Sequence, residues 1–313
     1  MAGQPSVVII TLTWNHRNVT SAFLRSISAI DYPALQTIVV DNASCDGTAD
    51  YVRRAFPNIT VIENERNLGF AAGCNVGIRH ALEAGADYVF LLNNDTQVEE
   101  SVVRVLVSWA EAHPQDGLLT PLIRRADEGD QVWFAGSRRG RLTLDSRDFG
   151  PGRPERVPVH YSREVDYVMG CAMFIRVEAL RQVGLFDETF FMYHEDMDLS
   201  LRVQNAGYTL RYVPDACVRH LVEISTSDAP PLRYYYKARS SVRFYRKHVH
   251  GLHWAVIIPY RIGSALKKVV SLLLTRQRAA MRAYLRGLWD GWREDYTSEF
   301  VLEGVNGGEA ECS

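Results

Sequence analysis

The run Tyr88-Val89-Phe90-Leu91-Leu92 breaks directly into Asn93-Asn94-Asp95-Thr96, and this junction limits what the chain can fold into. A continuous apolar stretch of that length is what a strand buried on both faces requires, so two amides and a carboxylate emerge at its carboxyl end. In open α/β sheets ligands bind beyond that end. A hard divalent cation that keeps water and phosphate ligands needs few protein oxygens, so one Asp at the tip is enough to matter. Taken alone, the tip reads first as a polar turn, because Asn and Asp are ordinary turn residues.

The residues before it alternate strand and helix signals. Val7-Val8-Ile9-Ile10-Thr11-Leu12 reads as a second buried strand, residues 19–30 carry helical spacing, and Tyr32-Pro33 breaks it. Residues 35–40 and 59–63 are further strands, and residues 49–56 and 71–84 are helices between them. Strands separated by helices imply a mostly parallel sheet flanked by helices. The first strand ends in Thr13-Trp14-Asn15 rather than a G-x-G-x-x-G turn, and no G-x-x-x-x-G-K-[ST] occurs. A dinucleotide oxidoreductase and a P-loop NTPase therefore lose their main support. At the tip of the second strand Asp41 has the chemistry to accept from a ribose or a base edge, and Trp14 that to stack on a base; an Asx turn and a core indole are equal readings.

From about residue 116 to 164 the periodicity fades into Gly, Pro and charge, including Asp127-Glu128-Gly129-Asp130, which reads as a long excursion: an acceptor-side flap or a solvated insertion. Residues 165–175 read as one strand and residues 177–183 as a helix. Then follows Tyr193-His194-Glu195-Asp196-Met197-Asp198-Leu199, whose spacing puts Glu195, Asp196 and Asp198 on the first turn of a helix, where the macrodipole favours anions. Acidic capping alone explains part of this. The aromatic residues Phe190, Phe191 and Tyr193 ahead of it would desolvate a carboxylate and raise its proton affinity, which suits a general base. His220 ends a later strand signal, placed either to join Asp95 at a metal or to serve as a hydrogen-bonded structural histidine.

With 313 residues and 47% hydrophobic content the chain can bury a full core. The net charge of −2 conceals a basic, acid-poor stretch from Arg233 to Arg293, which suggests a polyanionic or membrane-surface partner. Within it, residues 252–274 are apolar but interrupted by Arg261, Lys267 and Lys268; this suits an interfacial helix rather than a span, and packed helices or an oligomer interface fit as well. Cys45, Cys74, Cys171, Cys217 and Cys312 form no C-x-x-C and read as reduced thiols. The N-terminus shows no signal peptide, so the expected location is cytoplasmic, with room for peripheral attachment at the inner face of the cytoplasmic membrane.

Seven segments in order carry a resemblance: Thr13-Trp14-Asn15; Val39-Val40-Asp41-Asn42-Ala43-Ser44 with Asp46-Gly47-Thr48; Asn64-Glu65-Arg66-Asn67-Leu68-Gly69-Phe70-Ala71-Ala72-Gly73-Cys74-Asn75; Asn93-Asn94-Asp95; Gly184-Leu185-Phe186-Asp187-Glu188; His194-Glu195-Asp196-Met197-Asp198-Leu199; and Arg219-His220. Over roughly residues 7–248 the chain resembles the inverting glycosyltransferases of family 2, of GT-A fold, and within them the rhamnosyltransferase-like branch that builds bacterial polysaccharides. The resemblance implies an α/β catalytic domain over residues 1–230, with a nucleotide-sugar half to about 115 and an acceptor half from 116, followed by a helical, basic and aromatic extension over 231–313. It implies that Asp95 binds the divalent cation, Mg²⁺ or Mn²⁺, with His220 assisting, and that Asp196 is the catalytic base.

Thr13, Trp14, Asn15, Asp41, Asn42, Gly69, Asn75, Asn93 and Asn94 would line the nucleotide-sugar site, and Glu195 and Asp198 the acceptor side. The implied reaction moves a sugar, L-rhamnose from dTDP-rhamnose, onto a hydroxyl of a glycan or polyprenyl-linked acceptor by a single displacement. No nucleic-acid partner is implied, and oligomers are left open. Two features depart from the family pattern: a single carboxylate in Asn93-Asn94-Asp95, and Leu221-Val222-Glu223-Ile224-Ser225 where a glycine-rich run often follows the histidine. The competing readings are a nucleotidyltransferase, which would want a Gly- and Arg-rich triphosphate loop near the first strand, and a nucleic-acid-binding module resting on the basic and aromatic C-terminal part.

Overall fold

The structure, a computed structural model, describes residues 3–126, 131–149, 159–221 and 230–293. Asp127-Glu128-Gly129-Asp130, Val222-Glu223-Ile224-Ser225, Cys312 and the end of the expected extension lie outside them. The chain divides into two compact units: Met1–Arg138, Ser146–Asp187 and Asp196–Val222 form one, and Arg139–Asp145, Glu188–Glu195 and Glu223–Ser313 the other.

The first unit begins with β1 (Val7–Thr13), α1 (Arg17–Ile27), β2 (Leu35–Asp41), α2 (Thr48–Ala55), β3 (Thr60–Glu63), α3 (Gly69–Glu83) and β4 (Tyr88–Leu92). It continues through β5 (Thr96–Val98), α4 (Val102–Ala112), β6 (Asp116–Arg125), β7 (Val132–Phe134), β8 (Ser137–Arg139), β9 (Ser146–Asp148), β10 (Arg163–Val165), β11 (Ala172–Arg176), α5 (Val177–Val183), α6 (Glu195–Asn205) and β12 (Thr209–His220). The main sheet runs β10-β12-β6-β11-β4-β1-β2-β3. β3, β2, β1 and β4 are mutually parallel, β11 enters antiparallel to β4 and β6, and β12 lies parallel to β6. This is the expected α/β sheet, parallel in its nucleotide half and mixed beyond β4.

Alternation explains the apolar runs. Val8, Ile10, Val89 and Leu91 face one core, with Ile78 of α3 and Leu199 of α6; Val7, Ile9, Tyr88, Phe90 and Leu92 face the other, with Phe23 of α1 and Leu106 of α4. Helices cover both faces, so neither alternate set can be polar.

Three expectations are corrected. The excursion does not begin at Asp116, because β6 is a mostly buried strand inside the sheet. Gly117, Thr120 and Pro121 disguise its apolar run. Pro121 is tolerated because it sits where β12 slips register between Val213 and Cys217, and a strand proline belongs at such an irregularity. The single strand expected over residues 165–175 is two, β10 and β11, separated by a segment in which Tyr167 makes an isolated bridge to Ser137. Of the five cysteines read as thiols, Cys74, Cys171 and Cys217 are buried and in no disulfide, whereas Cys45 is disulfide-bonded; sequence spacing does not report pairing that depends on tertiary proximity.

The second unit contains α7 (Pro230–His248), α8 (Trp254–Leu274) and α9 (Arg278–Arg293). α7 and α9 approach closely along Gly287 and Gly291: a Cβ on Gly287 would meet the Tyr235 carbonyl oxygen at 2.2 Å, and one on Gly291 the Arg239 carbonyl oxygen at 2.7 Å. Backbone cannot yield as a side-chain tip can, so Gly287→Ala forces the two helices apart. Overpacking of this kind costs about 1–3 kcal/mol; thermal unfolding should show a lowered midpoint, and an unchanged midpoint would contradict the close packing.

Candidate active site

The tip of β4 is fixed by the strands beside it. The Asn93 N–H donates to the Cys171 carbonyl at 3.0 Å, and the Asn93 carbonyl accepts from the Thr96 N–H and hydroxyl at 3.2 and 2.7 Å. The chain therefore turns sharply and re-enters the sheet as β5, which pairs with the end of β12 so that Thr96 faces His220. The Leu221 N–H then donates to the Asp95 carbonyl at 2.9 Å.

This register brings the expected pair together. Asp95 Oδ1 and His220 Nε2 stand 3.1 Å apart, both side chains buried. The approach lacks hydrogen-bond alignment, and Asp95 Oδ1 and both ring nitrogens of His220 have no hydrogen-bond partner. The imidazole lies flat against Trp133, with ring centroids 4.8 Å apart and planes 3° from parallel. Buried polar atoms are normally satisfied. An oxygen and a nitrogen left unpartnered on one point have the chemistry of a cation site. No group of three His, Cys, Asp or Glu ligands occurs among the described residues, so such a cation would draw its remaining ligands from phosphate and water.

The loops after β1 and β2 form the adjoining wall. Asn94 Nδ2 donates to the hydroxyls of Thr13 and Thr20 at 3.3 and 3.0 Å, tying the β4 tip to β1. Asn15 and His16 sit at φ of 58° and 62°, a conformation costing non-glycine residues roughly 1 kcal/mol or more each. The Asn15 N–H donates to Ser44 Oγ at 2.7 Å and its Oδ1 accepts from the Cys45 N–H at 2.9 Å, which holds the strained pair. Trp14, so displaced, is half exposed.

Asp41 is buried; its Oδ1 accepts the Ser44 N–H at 2.6 Å while its Oδ2 has no partner. Burial pushes its carboxyl above the usual range, partly offset by the Ser44 bonds. The other amides are engaged within the protein. Asn42 donates to Asn67 and to the Gly69 carbonyl and accepts from Asn64, and Asn75 bonds the Phe186 backbone in both directions. They hold the loops that carry Gly69, at φ 79°.

Asp196 opens α6 beside these strands. Its Oδ2 accepts the Tyr167 hydroxyl at 2.7 Å and the Gly170 N–H at 3.0 Å, and its Oδ1 accepts the Met197 N–H at 2.8 Å. Burial pushes its carboxyl up, and those three donors pull it partly back. Asp198 is fully buried against Arg202 Nε at 2.8 Å; Arg202 also donates to the carbonyls of Val183 and Leu185 at 2.8 and 2.7 Å, so this acid holds α5 to α6. Glu195 is buried. Cys171 links the two acidic groups: its thiol is pushed well up, first by burial and then by the nearby carboxylates of Asp95 and Asp196.

Sequence reasoning missed Tyr167, Trp133 and Cys171. Trp133 lay in the stretch read as an excursion and Tyr167 in a run read as regular strand, so neither carried a positional signal. The Asp198–Arg202 pair had one, its separation of four on a helix.

The family model described as glycosyl transferase family 2 matches residues 6–184. An N-acetylglucosaminyl-diphospho-decaprenol L-rhamnosyltransferase of Mycobacterium tuberculosis is 31% identical over 71% of this chain and 78% of its own length. The dTDP-rhamnosyl transferase RfbF of Shigella flexneri is 22% identical over 58% of this chain and 62% of its own. In three dimensions the chain resembles the mannosyltransferase PcManGT from Pyrobaculum calidifontis, solved with GDP-Man and Mn²⁺, with a TM-score of 0.59, 18% identity, and coverage of 94% of this chain and 88% of that one.

The hydrogen bonds at Asp196 predict a titration change. The Tyr167 hydroxyl favours the carboxylate, so Tyr167→Phe should move Asp196 upward, protonating it at a higher pH than in the parent. Carboxyl ¹³C NMR would register that shift, and a shift downward or none would show that the bond does not stabilise the charged form.

Proposed function

The chain belongs to glycosyl transferase family 2, which removes the nucleotidyltransferase and nucleic-acid-binding readings, and from that premise we propose how its own residues transfer a sugar. The donor is a nucleoside-diphosphate sugar, dTDP-rhamnose, and the acceptor a hydroxyl of a glycan on a polyprenyl diphosphate. The names of the mycobacterial and Shigella relatives support this choice. The single observation that carries the reading is the pair of unpartnered buried atoms, Asp95 Oδ1 and His220 Nε2, in the unit that also holds Asp196.

Asp95 and His220 would hold Mg²⁺ or Mn²⁺, and such a cation, when bound, neutralises charge developing on a diphosphate leaving group. Asp41, with Oδ2 unpartnered, accepts from a ribose hydroxyl or a base N–H, and half-exposed Trp14 offers a stacking face. Asn15, Asn42, Asn75, Asn94 and Gly69 position these loops. On Asp196, Oδ2 already accepts two bonds and Oδ1 one, so Oδ1 has the lone pair for the acceptor proton. As the acceptor oxygen bonds to the anomeric carbon, that proton passes to Oδ1 and the bond to the diphosphate oxygen breaks, inverting the centre.

Asp196→Asn keeps the shape and removes proton acceptance; transfer should fall by about 10²- to 10⁴-fold with nucleotide affinity nearly unchanged. Turnover close to the parent's would refute the base. Asp95→Ala, or a chelator on the parent protein, should weaken nucleoside-diphosphate binding in calorimetry. Binding indifferent to both would make the β4 tip a turn and nothing more.

A further inference from the structure

The second unit leaves a long apolar stripe uncovered. α8 is apolar on two sides. One side packs inward through Ile257, Ala265, Val269 and Leu272, the last three against Tyr234, Tyr284 and their neighbours. On the other, Ile258, Ile262, Leu266, Val270 and Leu274 recur every fourth residue and are exposed, Ile262 by 64% and Leu266 by 62%. Residues four apart on a helix are neighbours, so these five form one ridge. A packed helix normally turns a polar face to water, and large exposed apolar surface marks a contact site.

Charge identifies the occupant. Residues 251–293 contain one acid, Asp290, against eight Lys and Arg, and that acid is buried and bonded to Arg286 at 2.8 Å. Of the three charges expected on α8 to meet headgroups, Arg261 is half-buried and turns onto its own unit, whereas Lys267 and Lys268 are exposed. Arg261 lies over the Tyr245 ring and bonds Ser241, and the Lys268 ammonium sits over Tyr234. The rest of the outward charge comes from α9 and the turn before it: Arg276, Arg278, Arg282, Arg286 and Arg293 are exposed. Among them Trp289 and Trp292 are exposed by 55% and 60%. Exposed Trp and Leu interleaved with Arg, beside an apolar ridge, is the composition of a helix lying in a lipid headgroup layer. No described helix is long and apolar enough to cross a membrane. A two-fold contact with a second copy would set these arginines against themselves, whereas an anionic surface complements them.

We propose that α8 and α9 form a monotopic docking face for an anionic lipid surface, the α8 ridge entering the acyl boundary and the α9 arginines meeting lipid phosphates. The inference stands apart from the transfer reading, since it is measured without donor or acceptor. The full chain is sedimented with vesicles of phosphatidylcholine alone or mixed with phosphatidylglycerol. The parent should bind the mixed vesicles and bind the neutral ones far less. Ile262→Glu with Leu266→Glu should lower binding by about tenfold or more, and Arg278→Ala or Arg282→Ala by about fivefold each. All four side chains are exposed, so thermal unfolding should stay at the parent's midpoint. Failure of the parent to bind, equal binding to both vesicles, or binding indifferent to the substitutions would overturn the proposal. So would a dimer in sedimentation velocity that Leu266→Glu dissolves, which would give the ridge to a second copy.

Discussion

The short antiparallel pairing of β5 with the end of β12 is the constraint on which the site depends. It sets Thr96 opposite His220 and, through the Leu221 bond to the Asp95 carbonyl, fixes a carboxylate and an imidazole on one point. A slip of one residue would send alternate side chains to the opposite face and separate them. The pairing is possible because β12 runs on past its irregularity at Pro121 to reach the β4 tip. The proline that obscures β6 in the sequence thus marks where the register between β6 and β12 shifts.

The site holds its polar groups at an energetic disadvantage. Asp95 Oδ1, Asp41 Oδ2 and the His220 nitrogens are buried without partners, and each such group costs about 1–3 kcal/mol. Asn15 and His16 on the loop after β1 sit in the left-handed region. Strain and unmet hydrogen bonds of this sort concentrate where ligands are handled. On the proposed reading a cation, a diphosphate and a nucleoside would supply the missing partners, and the folded sheet tolerates the deficit because β1 and β4 are almost completely buried.

Much of this was legible in the residues. Buried strands ending in Asp41 and Asp95 follow from apolar runs that stop at polar tips, and the start of α6 follows from its clustered acids. What was hidden is what depends on distant pairing. Trp133 stacks on His220 from a strand too short to show a period, and Tyr167 reaches Asp196 from a single bridge between strands. The amides of Asn42 and Asn75 read as ligand groups in one dimension, but folding consumes their hydrogen bonds internally. The apolar stretch of α8 and its interrupting charges were visible, yet which residues form its outward ridge, and that Arg261 folds back over Tyr245, depended on packing against α7 and α9.

The central claim is that a single displacement, with Asp196 Oδ1 receiving the acceptor proton, transfers the sugar. The most direct measurement is the anomeric configuration of the product formed from a nucleoside-diphosphate sugar, read from the one-bond carbon–proton coupling at the anomeric carbon before any hydrolysis. The account predicts the configuration opposite to the donor's. Retention would require two displacements or a front-side attack, and would contradict it.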